Sequence, residues 1–198
     1  MKMEEAYWTN RYLEEKTGWD IGYPSTPLKE YIDQMSDKNV SILIPGAGNA
    51  YEAEYLFENG FKQVYILDVS EYPLKKFKER NPKFPSEQLV CQDFFDHEGL
   101  YDVVFEQTFF CSMKPTEANR VGYASKMRRL LKEKGRLVGL WFDIPLVPND
   151  MENRPFGGDR ELYLKYLSPY FKVLTFEPCH NSIPKRLGNE IFGIFIRK

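Results

Sequence analysis

The stretch Val40-Ser41-Ile42-Leu43-Ile44-Pro45-Gly46-Ala47-Gly48-Asn49-Ala50-Tyr51-Glu52 decides the reading of this chain. Residues 41–44 form a short, mostly apolar run, the pattern of a strand buried on both faces of a parallel sheet. The Pro-Gly-Ala-Gly of residues 45–48 breaks that run. Its two glycines permit positive φ and, lacking Cβ, let a ligand approach the backbone closely. Asn49 suits the N-cap of a helix over residues 50–59. Strand, glycine turn and helix N-terminus together make a nucleotide-binding corner.

In the dinucleotide pattern Gly-x-Gly-x-x-Gly, the third glycine lets the helix pack tightly where a pyrophosphate sits on its N-terminus. Here that position is Tyr51. The change weakens an NAD reading and suits a ligand with no pyrophosphate, such as S-adenosylmethionine. Gly-x-Gly alone also occurs in ordinary tight turns. Residues 64–68, Val-Tyr-Ile-Leu-Asp, read as a second buried strand ending in a carboxylate. Asp68 stands 20 residues after Gly48, the spacing at which an acidic side chain holds a ribose diol. Capping a helix that begins near Ser70 is the other role open to it.

Composition narrows the classes. The 198 residues suffice for one domain with a full core, and 42% hydrophobic with 28% charged residues is the balance of a globular protein. A net charge of −2 gives no electrostatic footprint for nucleic acid or anionic membrane. Basic clusters at residues 75–78 and 126–136 read as solvated faces. Cys91, Cys111 and Cys179 are widely spaced and odd in number, which points to a reducing compartment. With His97 and His180 they match no zinc-ligand spacing, so no metal is expected. The first eight residues lack the apolar core of a signal peptide, and no apolar run approaches the roughly 20 residues of a membrane helix. The expectation is a cytoplasmic protein.

Along the rest of the chain, helices are expected over residues 7–16 and 28–35, around a turn-rich aromatic segment at 17–24. Residues 1–35 would form an N-terminal lid or cap over the remainder of a single domain spanning 1–198. A helix over 71–80 and a strand over 88–91 lead to Gln92-Asp93-Phe94-Phe95. A carboxylate beside an aromatic at a strand end suits an adenine, and an Asx-turn with a core Phe is the alternative. A strand over 101–106 precedes a helix over 116–132, with Ala118, Val121, Ala124, Leu130 and Leu131 inward and Gly135 as its cap. A strand over 136–142, a substrate-wall loop over 143–158, a helix over 159–167 and strands over 172–176 and 191–196 complete the chain. This alternation predicts a Rossmann-like α/β fold, a mostly parallel seven-stranded sheet with helices on both faces. Ligands collect at the C-terminal strand ends, where Gly46, Asp68, Asp93 and Glu106 fall.

The residues Trp8, Tyr12 and Trp19-Asp20-x-Gly22, Pro45-Gly46-Ala47-Gly48, Asp68-Val69-Ser70, Asp93-Phe94, the run 101–111 ending Thr108-Phe109-Phe110-Cys111, and Ile183-Pro184-Lys185-Arg186-x-Gly188 carry a resemblance. By them the chain resembles a class I S-adenosylmethionine-dependent methyltransferase of the thiopurine methyltransferase superfamily, and within it the plant thiol, thiocyanate and halide methyltransferases. The resemblance covers nearly the whole chain. It implies that Trp8 and Trp19 close over S-adenosylmethionine and that Gly46 and Gly48 line it. It gives Asp68 the ribose, Asp93 and Phe94 the adenine, and Glu106 a place near the methionyl end. Tyr23, Gln107 and Phe110 would face the methyl acceptor. Two residues depart from the plant branch. Tyr12 stands where it has a further Trp, and Gln107 stands where it has a Tyr proposed as proton acceptor. Glutamine cannot take a proton. Acceptors already ionised are therefore expected, a thiolate, thiocyanate or halide, in a pocket drawn from Trp19, Phe94, Phe95, Phe109, Phe110 and Trp141. Only a minority of these should touch ligand.

Other readings are weaker. Amino methyltransferases of nucleic acids carry Asp/Asn-Pro-Pro-Tyr/Phe after the fourth strand, where this chain has Glu-Gln-Thr-Phe at 106–109. An NAD-dependent oxidoreductase is weakened by Tyr51, and a non-catalytic S-adenosylmethionine-binding protein is motivated only by Gln107. The expected partner is a small-molecule acceptor met by a monomer, with no nucleic acid and no membrane.

Overall fold

Seven strands form one sheet in the order β3-β2-β1-β4-β5-β7-β6. The computed structural model describes residues 3–147 and 149–198. Residues 1 and 2 of the expected lid segment and residue 148 of the expected loop lie outside it. The strands are β1 (Ser41–Pro45), β2 (Gln63–Asp68), β3 (Leu89–Cys91), β4 (Tyr101–Gln107), β5 (Leu131–Phe142), β6 (Phe171–Pro178) and β7 (Glu190–Arg197). Six run in one direction, and β7 enters antiparallel between β5 and β6. The sheet is mostly parallel, as the alternation predicts.

Successive side chains of a strand point to opposite faces, and this chain fills both with apolar groups. Leu43, Leu67, Val104 and Leu137 pack under α5 (Glu117–Leu130) and α6 (Arg160–Leu167). Ile42, Ile44, Ile66, Val103 and Phe105 pack under α2 (Thr26–Asp33), α3 (Tyr51–Glu58) and α4 (Glu71–Arg80). Two side chains cap helices at their N-termini. The Thr116 hydroxyl accepts the Asn119 amide at 3.2 Å, and the Asp159 carboxylate accepts the Leu162 amide at 2.8 Å. The helix α1 (Glu5–Leu13) packs against α4 at the C-terminal edge of the sheet.

Four expectations need correction. Ala50, not Asn49, caps α3, and it does so in the left-handed conformation with no side-chain bond. The Asn49 amide is drawn instead to the Asp20 carboxylate, a contact 29 residues distant in sequence. The inward face of α5 is Arg120, Tyr123, Ala124, Met127 and Leu130, while Ala118 and Val121 are exposed. Gly135 does not end α5, because the helix passes straight into β5 at Leu131. Gly135 lies within a bulge, where the β4 register jumps from Leu131 to Arg136 and a Cβ would meet the Lys132 carbonyl at 2.8 Å. Lys126, expected on a solvated face, is buried and donates to Glu98 at 3.2 Å.

Candidate active site

The corner after β1 is built on positive φ. Gly46 sits at φ +60° and Gly48 at +54°, and both meet crowded space. A Cβ on Gly46 would lie 2.1 Å from Phe109 Cδ2, and one on Gly48 would lie 2.9 Å from the Tyr12 hydroxyl. At the end of β2, the Asp68 carboxylate accepts the Gly48 and Ser70 amides, each at 2.9 Å. Burial pushes its pKa up to about 6 against those hydrogen bonds. An ionised carboxylate offers about four lone-pair sites. Two are used here, and a diol can take the others.

β1 pairs with β4 at two positions, Ile42 with Val103 and Leu43 with Val104. Beyond them a cavity of about 730 Å³ opens at the C-terminal strand ends, where an open α/β sheet binds ligands. Trp8, Trp19, Tyr23, Gly46, Gly48, Asp68, Phe94 and Gln107 line it. Its roof is aromatic. Trp8 and Trp19 meet edge to face at 5.4 Å, Tyr12 meets Trp19 at 5.6 Å, and Tyr12 stacks on Tyr72 at 6.0 Å.

Long-range polar bonds tie this roof down. Asp20 holds the Gly22 amide at 2.9 Å as well as Asn49, and Arg186 donates to the Trp19 carbonyl at 2.7 Å. From the opposite wall, the Arg154 guanidinium donates to the Ser112 carbonyl at 2.7 Å and pairs with Glu4. It also lies over the Tyr7 ring at 4.4 Å.

Three expected site residues stand away from the cavity wall. Glu106 is fully buried. One of its oxygens accepts the Phe109 and Phe110 amides, and the other accepts the Tyr123 hydroxyl. It therefore shapes the turn after β4, in which Thr108 adopts φ +55°. Gly139 faces it across the ladder, leaving the space its side chain needs. Asp93 is engaged by the Met3 and Phe95 amides, and Phe110 packs into the core against Tyr123 and Tyr163. Of the six aromatics expected to supply the pocket, Trp19, Phe94 and Phe109 reach the wall. Trp141 is core, packed on Phe176 and Phe195.

One wall group went unread in the sequence. Glu52, buried in the first turn of α3, accepts the Ser25 amide at 2.8 Å. Its two oxygens lie 2.8 and 2.9 Å from one end of the Gln107 side-chain amide. A carboxylate only accepts, so the NH2 end of Gln107 must face it. Beside this pair runs a buried ion pair, Arg186 with Glu190 at 3.2 Å, with Arg186 over the Phe142 ring.

The model of the thiopurine S-methyltransferase family matches residues 3–195. The chain belongs to that family. It is an S-adenosylmethionine-dependent methyltransferase. Thiocyanate methyltransferase 1 of Arabidopsis thaliana is 29% identical over 197 residues, covering 96% of this chain and 84% of that protein. Another Arabidopsis thaliana protein, named Probable thiol methyltransferase 2, is 28% identical over 196 residues, covering 94% and 82%. Among solved structures, the Burkholderia thailandensis 1,6-didemethyltoxoflavin-N1-methyltransferase shares the fold at a TM-score of 0.76 and 16% identity. That match covers 98% of this chain and 87% of the other. The NAD-dependent and non-catalytic readings are not favoured.

Proposed function

We propose that the protein moves a methyl group from S-adenosylmethionine to a small soft nucleophile: a thiol, thiopurine, thiocyanate or halide. The observation that carries this reading is a cavity with two unlike halves. Over β1 and β2, the Gly46–Gly48 turn and the spare lone pairs of Asp68 fit the amino-acid and ribose portions of the cofactor. Over β4 and β5, Phe109 and Phe142 offer an aromatic wall in which Gln107 and Glu52 set one polar spot, which suits a small acceptor. The two named Arabidopsis relatives, a thiocyanate and a thiol methyltransferase, support the same class of acceptor.

When bound, S-adenosylmethionine supplies a methyl group made electrophilic by a sulfonium. The chain's part is to bind, align and exclude water. Alignment of two reactants supplies much of the rate, and a dry, apolar wall strengthens every charge interaction inside it. Aromatic faces attract a sulfonium by about 0.5–2 kcal/mol each. Of the expected lid segment, the part that carries α1 and the following turn acts as the lid, with Trp8 and Trp19 as its contact surface, while α2 packs on the sheet. Trp19→Ala should therefore weaken binding of S-adenosylhomocysteine by ~1–2 kcal/mol, the usual scale of an aromatic contact. Titration calorimetry measures this, and affinities equal within twofold would rule the lid out.

Three unpaired cysteines favour a cytoplasmic setting. No helix among the described residues is long and apolar enough to cross a membrane. We take the acting form to be a monomer with no nucleic-acid or membrane partner. The deciding experiment is methyl transfer from labelled S-adenosylmethionine to a panel of thiols, sulfide, thiopurine, thiocyanate and halides. Transfer to at least one is expected, and transfer to none overturns the reading.

A further inference from the structure

We propose that Glu52 takes the acceptor's proton, and that the acceptor is therefore a neutral thiol rather than a permanently ionised soft anion. The inference rests on the methyl-transfer reading above. It revises the expectation, drawn from Gln107 alone, that no group at the acceptor end can receive a proton.

The geometry supplies the group that position 107 lacks. Glu52 lines the cavity and is joined to Gln107 through two contacts of 2.8 and 2.9 Å. The Ser25 amide, just before α2, holds it from the other side at 2.8 Å. These bonds, with its own backbone amide and the Ser25 hydroxyl close by, hold a carboxylate that still lines the cavity. They also fix the carboxylate in place, so that it need not reorganise when a thiol arrives. With its NH2 committed to Glu52, Gln107 keeps its carbonyl oxygen available as a second acceptor beside the site.

Charge favours the same assignment. The groups facing Glu52 are the Ser25 amide and hydroxyl, its own backbone amide, the Gln107 amide on β4, and Arg186 in the segment before β7. Arg186 is already matched by Glu190, whose side chain is as buried as its own. The pair is internally neutral, which leaves the Glu52 carboxylate as the charge in contact with Gln107, while Lys185 of the same segment also lines the cavity. An anion such as thiocyanate meets like charge there, whereas a thiol meets a hydrogen-bond acceptor. Burial raises the carboxyl above its usual range, bringing its basicity closer to that of the thiol it serves.

The step balances. The S–H proton passes to a Glu52 oxygen, and the freed sulfur pair forms the new S–CH3 bond. The sulfonium S–CH3 bond breaks with its electrons kept by the donor sulfur. Sulfonium, thiol and carboxylate become two neutral thioethers and a carboxylic acid, which later yields its proton to water.

The native enzyme and one isosteric variant test this. For thiols of different pKa, native kcat/KM should rise with pH to one shared plateau that begins below each thiol's own pKa. Glu52→Gln should lower thiol kcat/KM roughly 100-fold and abolish that plateau, since a general base supplies about 10²–10⁴. The same variant should bind thiocyanate roughly five- to tenfold more tightly in its S-adenosylhomocysteine complex, measured by calorimetry, because like charge is removed. A misfolded variant cannot gain affinity, so opposite changes exclude simple damage. Three results overturn the proposal: native plateaus that track each thiol's pKa, equal thiol rates in both proteins, or a tenfold loss of S-adenosylmethionine affinity in the variant. The last would place Glu52 on the donor's ammonium. Native enzyme that transfers to no acceptor at all would instead refute the methyl-transfer reading itself.

Discussion

Gly46→Ala should cost ~3 kcal/mol of stability or more, and cofactor affinity should fall with it. Two terms add. A non-glycine residue at φ +60° costs about 1–2 kcal/mol. The new Cβ would also lie 2.1 Å from Phe109 Cδ2, and overpacking of this kind costs roughly 1–3 kcal/mol. The Phe109 ring is held by its neighbours on the core side. It packs on Phe94 at 5.1 Å and near Tyr123, and its own amide is bound by Glu106. The glycine turn must move instead, and it carries the amide that Asp68 holds. Gly60→Ala is the control, since that residue has φ +85° with nothing within 4 Å of a Cβ. It should show the conformational cost alone. Denaturant midpoints and calorimetry with S-adenosylhomocysteine would compare them, and equal losses in both variants would contradict the steric argument.

Glu106→Gln should make stability less dependent on pH, to the variant's advantage above neutrality. Burial pushes the Glu106 carboxyl from 4.5 up to about 7 in the fold. Between those values the native state holds a proton that the unfolded chain has released. Stability therefore falls as pH rises through that window, and it stays low above it. At 1.36 kcal/mol per pKa unit, the decline attributable to this one group is ~3 kcal/mol. A glutamine oxygen can still accept the Phe109 and Phe110 amides, and its NH2 can donate to Tyr123. Asp68 and Glu52, also raised by burial, titrate alike in both proteins and cancel in the difference. Urea unfolding at pH 4.5 and pH 8 should show the variant gaining on the native protein by that amount. Parallel curves would mean that Glu106 ionises normally.

What could be read from the chain alone follows a physical divide. The strands β1, β2 and β4 were legible because burial on both faces demands unbroken apolar runs. The glycine turn and Asp68 were legible because their spacing is local. Glu52 was not. A glutamate in the first turn of a helix ordinarily serves the helix dipole in solvent, and its partners Ser25 and Gln107 lie 27 and 55 residues away. The Asn49 cap failed for a similar reason, since Asp20 outbid the local backbone amide. In α5 the phase was missed because buried Arg120 and Lys126 are polar, while exposed Ala118 and Val121 are apolar. Glu106 was expected at the ligand because it ends a strand, yet its carboxylate is spent on its own turn.

The short contact between β1 and β4 has a dynamic consequence. On one side of that seam, β1, β2 and β3 hold together, and on the other, β5 and β7 pair over seven positions in a broad antiparallel ladder. Two registered pairs of backbone partners join these blocks, although their side chains share one core. Cooperative opening units tend to divide where few backbone bonds cross, so amide exchange should reveal two tiers, with the β5–β7–β6 block the slower. A cofactor lying across the seam would act as a rivet. Its binding energy would pass to the whole sheet by mass action, and the two exchange tiers would merge into one.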